Sequence, residues 1–114
     1  MQISPDSGNG STARIALTGR LDIQGAEAIS LPLATLSGAK QNVVIDMSGV
    51  SFIASIGIRH LVMASKSLAR RGGRLVLLKL TPAVQEVLQT AGIIDLVSTA
   101  TSEEQVHALI GSAA

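Results

Sequence analysis

Two short runs of apolar residues constrain what this chain can fold into. Residues 43–47 form one run, broken only by Asp46, and residues 75–78 form the other. Continuous β-branched and aliphatic residues over four or five positions are typical of strands that are covered on both faces. Because helical patterns separate these runs, we predict an α/β fold built on a largely parallel sheet.

A hairpin is expected at the N-terminal end of the chain. The glycine-rich turn 8–11 lies between two extended segments, 1–5 and 12–18, and the second of these alternates apolar and polar residues. Gly19 is expected to end the second strand. An antiparallel hairpin beside parallel strands makes the predicted sheet mixed.

The first helix is expected to begin near Ile23 or Gln24, with Asp22 as its N-cap, and to end at Gly38. Pro32 lies inside this segment and should kink or split the helix, because proline lacks an N–H and clashes with the preceding turn. The apolar stripe of this helix consists of Ala26, Ile29, Leu33 and Leu36.

The central strand is expected to end at residue 47, followed by a loop at 48–51 and an extended segment that leads into a helix at 56–71. The predicted core face of that helix consists of Ile58, Leu61, Val62, Ser65, Leu68 and Ala69.

The last third of the chain supplies a strand at 74–80, a helix capped by Thr81 and ended by Gly92, a short strand at 93–97 and a helix that opens with a capping box at 101–104. The residues expected to face inward are Val84, Val87 and Leu88 in the third helix and Val106, Leu109 and Ile110 in the fourth. The predicted order is β-β-α-β-α-β-α-β-α, a four- to five-stranded mixed sheet with about four helices, in one domain over residues 1–114.

Composition argues against several classes of function. Lys and Arg number 9 against 8 Asp and Glu, and Phe52 is the sole aromatic residue, so neither a basic field nor stacking platforms for nucleic acid are present. No run of about 18 apolar residues could cross a bilayer, and residues 1–12 have no signal-peptide pattern. We therefore expect a cytoplasmic protein that neither binds nucleic acid nor inserts into a membrane.

The sequence offers little for catalysis or metal binding. His60 and His107 have no ligand spacing, the acidic residues are scattered, and no glycine-rich phosphate loop follows a strand. The glycines at 72–73, flanked by arginines, could hold an anion but are better explained as a helix stop. We predict no enzyme activity, no cofactor and no metal.

Ser55 is the one position with distinctive chemistry, because it lies where an extended segment meets a helix. There it could be an N-cap, or a phosphoserine whose dianion is favoured by the free N–H groups and the helix dipole. Ile56, His60 and Met63 lie off the core stripe, which indicates either a contact patch or packing against a neighbouring helix.

Several segments resemble STAS domains of the anti-sigma factor antagonist family. Residues 17–22 (Leu-Thr-Gly-Arg-Leu-Asp) resemble the family's L-T-G-E-L-D, and residues 44–53 resemble its central strand and following loop. Residues 54–58 (Ala-Ser-Ile-Gly-Ile) stand where the family usually has D-S-[ST]-G-L. The Arg-Gly-Gly at 71–73, the Leu-Thr-Pro-Ala-Val at 80–84 and the Ala-Gly-Ile at 91–93 extend the likeness, which runs from about residue 12 to residue 110.

The resemblance implies partner switching, in which the unphosphorylated antagonist binds an anti-sigma factor that is also a serine kinase. Phosphorylation by that kinase releases the complex, and a serine phosphatase resets it. Ser55 matches the family's phosphoacceptor, and Asp22 matches a position near it. The implied partner surface comprises Asp22, Ser48, Ala54, Ile56, Gly57, Arg59, His60 and Met63.

Two departures from the family pattern leave alternatives open. Ala54 replaces an acidic residue and Ile56 replaces Ser or Thr, changes that favour constitutive docking over kinase control. The second hypothesis is a STAS accessory subunit of a membrane transport complex or another signalling assembly. The third is a small α/β enzyme with a ligand at the carboxyl ends of its strands.

Overall fold

A computed structural model describes residues 1–111 as a five-stranded sheet with helices on both faces. The strands are β1 Gln2–Ile3, β2 Thr12–Leu21, β3 Asn42–Ile53, β4 Arg74–Leu78 and β5 Ser98–Ala100. The helices are α1 Ile23–Ala39, α2 Ser55–Arg70, α3 Pro82–Thr90 and α4 Glu103–Ile110, with a 3₁₀ turn at Ile94–Leu96.

The sheet has the order β1-β2-β3-β4-β5, with β1 antiparallel to β2 and every other pairing parallel. This confirms the predicted mixed sheet and the order of its strands and helices. A parallel strand must be followed by a crossover, and α1, α2 and α3 provide the three crossovers between successive strands.

The central strands are buried on both faces, as their continuous apolar sequences predicted. Ile45 and Leu77 lie in the large core that α1, α2 and α3 form on one face, whereas Val44 and Val76 lie on the other face, beneath α4. All four side chains are at most 1% exposed. Because neither face meets water, β3 and β4 need no polar alternation.

Two predicted strand ends were wrong, because β2 and β3 continue to pair beyond them. β2 runs through Gly19 to Leu21, and β3 runs through the predicted loop 48–51 to Ile53. The register of this pair shifts on either side of Thr18 and Gly19. Gly19 has a φ of +121°, which glycine accepts without steric cost, so the strand bends there and does not end.

Pro32 does not split α1, which was one of the two predicted effects, and Gly38 lies inside the helix and is not its stop. Proline removes the hydrogen bond to the carbonyl of Ala28, four residues earlier. Both Pro32 and Ala28 are exposed, so water can satisfy that carbonyl. The helix ends at Ala39, and the backbone N–H of its C-cap, Lys40, donates to the carbonyl of Leu36.

The boundaries after β4 also differ from the prediction. β4 ends at Leu78 because Lys79 has a φ of 58°, outside the extended region. The predicted strand 93–97 is the 3₁₀ turn, and pairing with β4 starts only at Ser98. The last helix is capped by Ser102, which accepts from the Gln105 N–H, one residue later than predicted.

The inward faces of the helices are largely as predicted. Leu61 and Leu68 of α2 and Val84 and Leu88 of α3 are buried. Ala69 and Val87, both predicted to face inward, are exposed, and Ala64, which was not predicted, is buried. Within residues 1–111, no helix combines the length and the apolar character that crossing a bilayer requires.

The loop between β1 and β2 depends on Asp6, whose carboxylate accepts from the backbone N–H of Arg14 at 2.9 Å and of Gly8 at 2.8 Å. These hydrogen bonds, that of Arg14 foremost, lower the pKa of Asp6 below its ordinary value of 3.8. Because the folded-state pKa is depressed, the stabilisation is fully present above that ordinary value and is lost as the pH falls through the folded-state pKa.

We therefore expect Asp6→Asn to lower the free energy of unfolding near neutral pH and to lose this effect in acid. Urea denaturation of both proteins between pH 7 and about pH 2 measures the difference. Asparagine keeps an oxygen acceptor, so the comparison isolates the charge. A difference that does not change with pH would contradict this assignment.

Candidate functional site

The carboxyl ends of β2 and β3 bring Asp22 and Ser55 to one edge of the sheet. Leu21 pairs with Ile53 at the last position of the ladder, and the Ala54 N–H donates to the Leu21 carbonyl at 2.9 Å. Neighbouring strands lie about 4.8 Å apart, so the residues that follow them start α1 and α2 side by side. The fold thus brings together two residues that are far apart in the sequence.

Asp22 is the N-cap of α1, as predicted, and its carboxylate accepts from the Gly25 N–H at 2.9 Å. Its other oxygen lies 3.8 Å from Nε of Arg20. The Arg20 guanidinium in turn lies over the ring of Phe52, 4.3 Å from its centroid. An acidic side chain at a helix N-terminus is favoured by the dipole, so Asp22 both caps α1 and presents negative charge at this edge.

Ser55 is the first residue of α2 and not its N-cap. The cap position belongs to Ala54, which has extended backbone angles (φ −101°, ψ 169°) and a side chain that cannot accept a hydrogen bond. α2 consequently begins and ends one residue earlier than the predicted range 56–71. Ser55 is exposed, so its hydroxyl is open to solvent at the start of the helix.

The start of α2 favours negative charge. The first-turn N–H groups have no partner within a helix, and no side chain of the part of the chain that the structure describes caps them. No Asp or Glu occurs between Ser55 and Arg70, and Arg59 is exposed one turn after Ser55. Residues four apart on a helix have Cβ atoms about 5–6 Å apart, so a negative group on Ser55 would be within reach of the Arg59 guanidinium.

The other predicted partner-binding residues have different environments. Arg59 and Met63 are exposed, Met63 at 55%, whereas Ile56 and His60 are half-buried. His60 and Met63 border a groove between α2 and α1, so this side of α2 both neighbours another helix and keeps accessible apolar surface.

Gly57 does not present a contact surface, contrary to its predicted role. It is buried, and a Cβ at this position would lie 2.2 Å from Cδ2 of Leu21 and 3.0 Å from the Leu21 carbonyl. Glycine is thus required for the first turn of α2 to approach the end of β2. Its contribution to the site is to hold that turn in place.

Ser48 lies within β3 and not in a loop after it, because β3 continues to Ile53 along β2. Its hydroxyl donates to the Asp46 carboxylate at 2.7 Å. Five residues of extended chain lead from Ser48 to Ile53, about 16 Å along the strand. Ser48 therefore lies back along β3 from Ser55, on the strand and not beside the start of α2.

Arg20 and Phe52 belong to this edge but were not predicted. They are opposite each other in the β2–β3 ladder. Their pairing depends on the two register shifts, and no periodicity in either strand reveals such shifts. Across the described part of the chain, no three His, Asp or Glu side chains cluster as metal ligands would.

Comparison with known proteins identifies the family. A family model described as Mlab, STAS domain, matches residues 6–98. The chain belongs to the STAS domain family. In this STAS domain the matched range contains β2, α1, β3, α2, β4 and α3 in full, and therefore the whole edge around Asp22 and Ser55.

Similarity to individual proteins extends over most of this STAS domain. It is 31% identical over 98 residues to the provisionally named anti-sigma factor antagonist BtrV of Bordetella bronchiseptica, covering 85% of this chain and 84% of BtrV. The anti-sigma factor antagonist SpoIIAA in its unphosphorylated form is 26% identical with a TM-score of 0.78, covering 94% of this chain and 95% of SpoIIAA.

Two further structures place this STAS domain among known folds. SpoIIAA of Bacillus in its phosphorylated form matches with a TM-score of 0.71 and 26% identity, over 94% and 98% of the two chains. The murine anion transporter Slc26a9 matches with a TM-score of 0.70 and 18% identity, over 84% of this chain and 17% of the transporter. At that identity the second match shows the fold alone.

The close approach of Gly57 to Leu21 predicts opposite effects for two glycine-to-alanine substitutions. Gly57→Ala should lower the free energy of unfolding by about 1–3 kcal/mol, because Leu21 is fully buried and cannot move aside freely. Gly38→Ala, in α1 with no atom within 4 Å of the new Cβ, should raise it by about 0.5–1 kcal/mol. Urea denaturation measures both, and equal effects would contradict the assigned role of Gly57.

The missing cap at Ala54 predicts that a capping residue will stabilise α2. Ala54→Ser and Ala54→Asp should each raise the free energy of unfolding by about 1 kcal/mol, because their oxygens can accept from first-turn N–H groups. Aspartate should add a dipole contribution that salt weakens. Thermal and urea unfolding at two salt concentrations measure these effects. If neither variant raises the free energy of unfolding, the first-turn N–H groups of α2 are not available for capping.

Proposed function

We propose that this STAS domain is an anti-sigma factor antagonist that binds a serine-kinase anti-sigma factor and is released when that kinase phosphorylates Ser55. A serine phosphatase would reset the switch. The observation that carries the proposal is the exposed hydroxyl of Ser55 at the first position of α2, beside a cap residue without a side-chain acceptor. The domain itself acts by binding and supplies the phosphoacceptor, not the catalysis.

Similarity to known proteins supports the role of anti-sigma factor antagonist. BtrV and SpoIIAA are named as anti-sigma factor antagonists, and each aligns with most of this chain. SpoIIAA has been solved in phosphorylated and unphosphorylated forms, so a relative of the same fold accepts a phosphate. We infer that the partner surface centres on Ser55, Asp22 and the exposed side of the first turns of α2.

Electrostatics explains how phosphorylation would change binding without unfolding the domain. A phosphate on Ser55 adds about 1.5–2 negative charges at neutral pH. The unpaired N–H groups of α2 and the nearby Arg59 would stabilise those charges, so the helix should persist. A partner surface that packs against the neutral hydroxyl and Ile56 would instead have to bury the dianion, which costs several kcal/mol unless it is paired.

Modification of Ser55 is tested by co-expressing the full chain with each candidate serine kinase from its own genome and measuring the intact mass. We expect one added phosphoryl group in the wild-type protein and in Ser51→Ala, and none in Ser55→Ala. Ser51 is a matched control because it is another exposed serine near the same sheet edge. Size-exclusion chromatography should show that the phosphorylated protein no longer co-elutes with its kinase.

The same experiment distinguishes the phosphorylation switch from the main alternative, which is constitutive docking. If the protein co-purifies with a partner but is never modified, it is a constitutive docking module, as the loss of the acidic residue at Ala54 and the apolar Ile56 would favour. The fold shared with part of an anion transporter makes a membrane transport assembly the alternative partner. Stable co-purification with a permease or transport ATPase, without kinase binding, would establish that function and overturn ours.

A further inference from the structure

A groove of about 400 Å³ runs between α1 and α2 on the surface of the domain. Its floor is apolar: Leu33 and Ala64 are buried, Ala34 lies on the wall from α1, and Met63 is 55% exposed. From His60 to Arg70, the α2 side extends about 15 Å at 1.5 Å per residue, nearly three helical turns. The groove therefore has the length and the apolar floor that an amphipathic helix requires.

One sign of charge borders this groove. Lys66 and Arg70 line it, and Arg59 precedes them on the same stripe of α2 at a spacing of seven residues. Within residues 1–111, none of these three cations forms a salt bridge, because the ion pairs found there join Arg14 to Glu103 and Arg20 to Asp22. The whole chain has a formal charge of only +1, so this concentration of positive charge is local.

Negative charge near the groove is sparse. α2 contains no acidic residue, and the only charged residue of α1 is Glu27, which does not line the groove. An occupant with carboxylates along its edges would therefore meet complementary charge on the α2 side. The exposed thioether of Met63 can adapt to apolar side chains of different shape.

We propose that the groove between α1 and α2 binds an acidic amphipathic helix of a partner protein. The apolar face of that helix packs on Leu33, Ala34 and Met63, and its carboxylates face Lys66 and Arg70. An anionic membrane fits less well, because lipid-binding clusters hold four or more cations and a bilayer cannot enter a concave groove. Nucleic acid fits less well because the groove offers no aromatic stacking surface.

This inference goes beyond the proposed function, because it requires neither phosphorylation nor the Ser55 hydroxyl. The two surfaces adjoin on α2, since His60 lies little more than one turn from Ser55. One partner could therefore bind both surfaces, but an experiment that excludes binding at one of them leaves the proposal for the other unchanged.

The test is an NMR titration of the full unphosphorylated chain with a synthetic helix of about five turns that carries leucine on one face and glutamate on the other. Amide shifts should be confined to both walls of the groove. A peptide with lysine in place of glutamate should bind at least about tenfold more weakly. Shifts spread elsewhere, or equal binding of both peptides, would overturn the proposal.

Matched variants locate the binding. Ala34→Trp should fill the groove and weaken binding about tenfold or more, whereas Ala28→Trp, on an exposed side of the same helix, should change it less than about twofold. Lys66→Glu should weaken binding roughly threefold to tenfold, and Lys79→Glu, an exposed lysine outside the groove, should not. Well-dispersed spectra of each variant verify folding.

Two controls distinguish the groove from the start of α2 and from a lipid-binding surface. Ser55→Ala should bind the acidic peptide with the same affinity as the wild type. Loss of binding in this variant would show that the peptide binds at the start of α2 and would overturn the proposed groove site. Vesicles of anionic phospholipid should bind the protein weakly. If Lys66 is needed for vesicle binding while neither peptide binds, the surface recognises membranes and the proposal is wrong.

Discussion

The parallel pairing of β2 with β3 is the interaction on which the rest of this structure depends. It extends from Thr12 and Asn42 to Leu21 and Ile53, well beyond the end of β4. Two register shifts let the ladder bend and continue, so that both strands end together. Since α1 and α2 start at those ends, the ladder sets the positions of both helices and of the groove between them.

The chemistry of Ser55 comes from what its neighbours lack. A capping side chain at Ala54 would occupy first-turn N–H groups, and an acidic residue on α2 would repel an added phosphate; neither is present. Gly57 meanwhile lets this turn pack closely against Leu21, next to the exposed serine. An exposed hydroxyl at the start of a helix with open donors suits a switch that changes charge and not fold.

Local signals predicted the elements whose environment is decided locally. The apolar runs of β3 and β4, the Asp22 cap of α1 and the Thr81 cap of α3 depend on neighbouring residues, and each is observed. Predictions failed where a distant contact prevailed over a local one. Gly19 looked like a strand end, but pairing with β3 carries the chain through it.

The sequence by itself determined the α/β class and the order of strands and helices, and it directed attention to Ser55, because hydrophobic periodicity and family motifs are local properties of the chain. Only the tertiary structure decided that Ala54, and not Ser55, caps α2, that Gly57 is buried, and that Ser48 lies within β3. Those outcomes follow from the register of β2 on β3. Register is a pairing between segments about thirty residues apart in the sequence, and the alternation of either strand alone does not specify its two shifts.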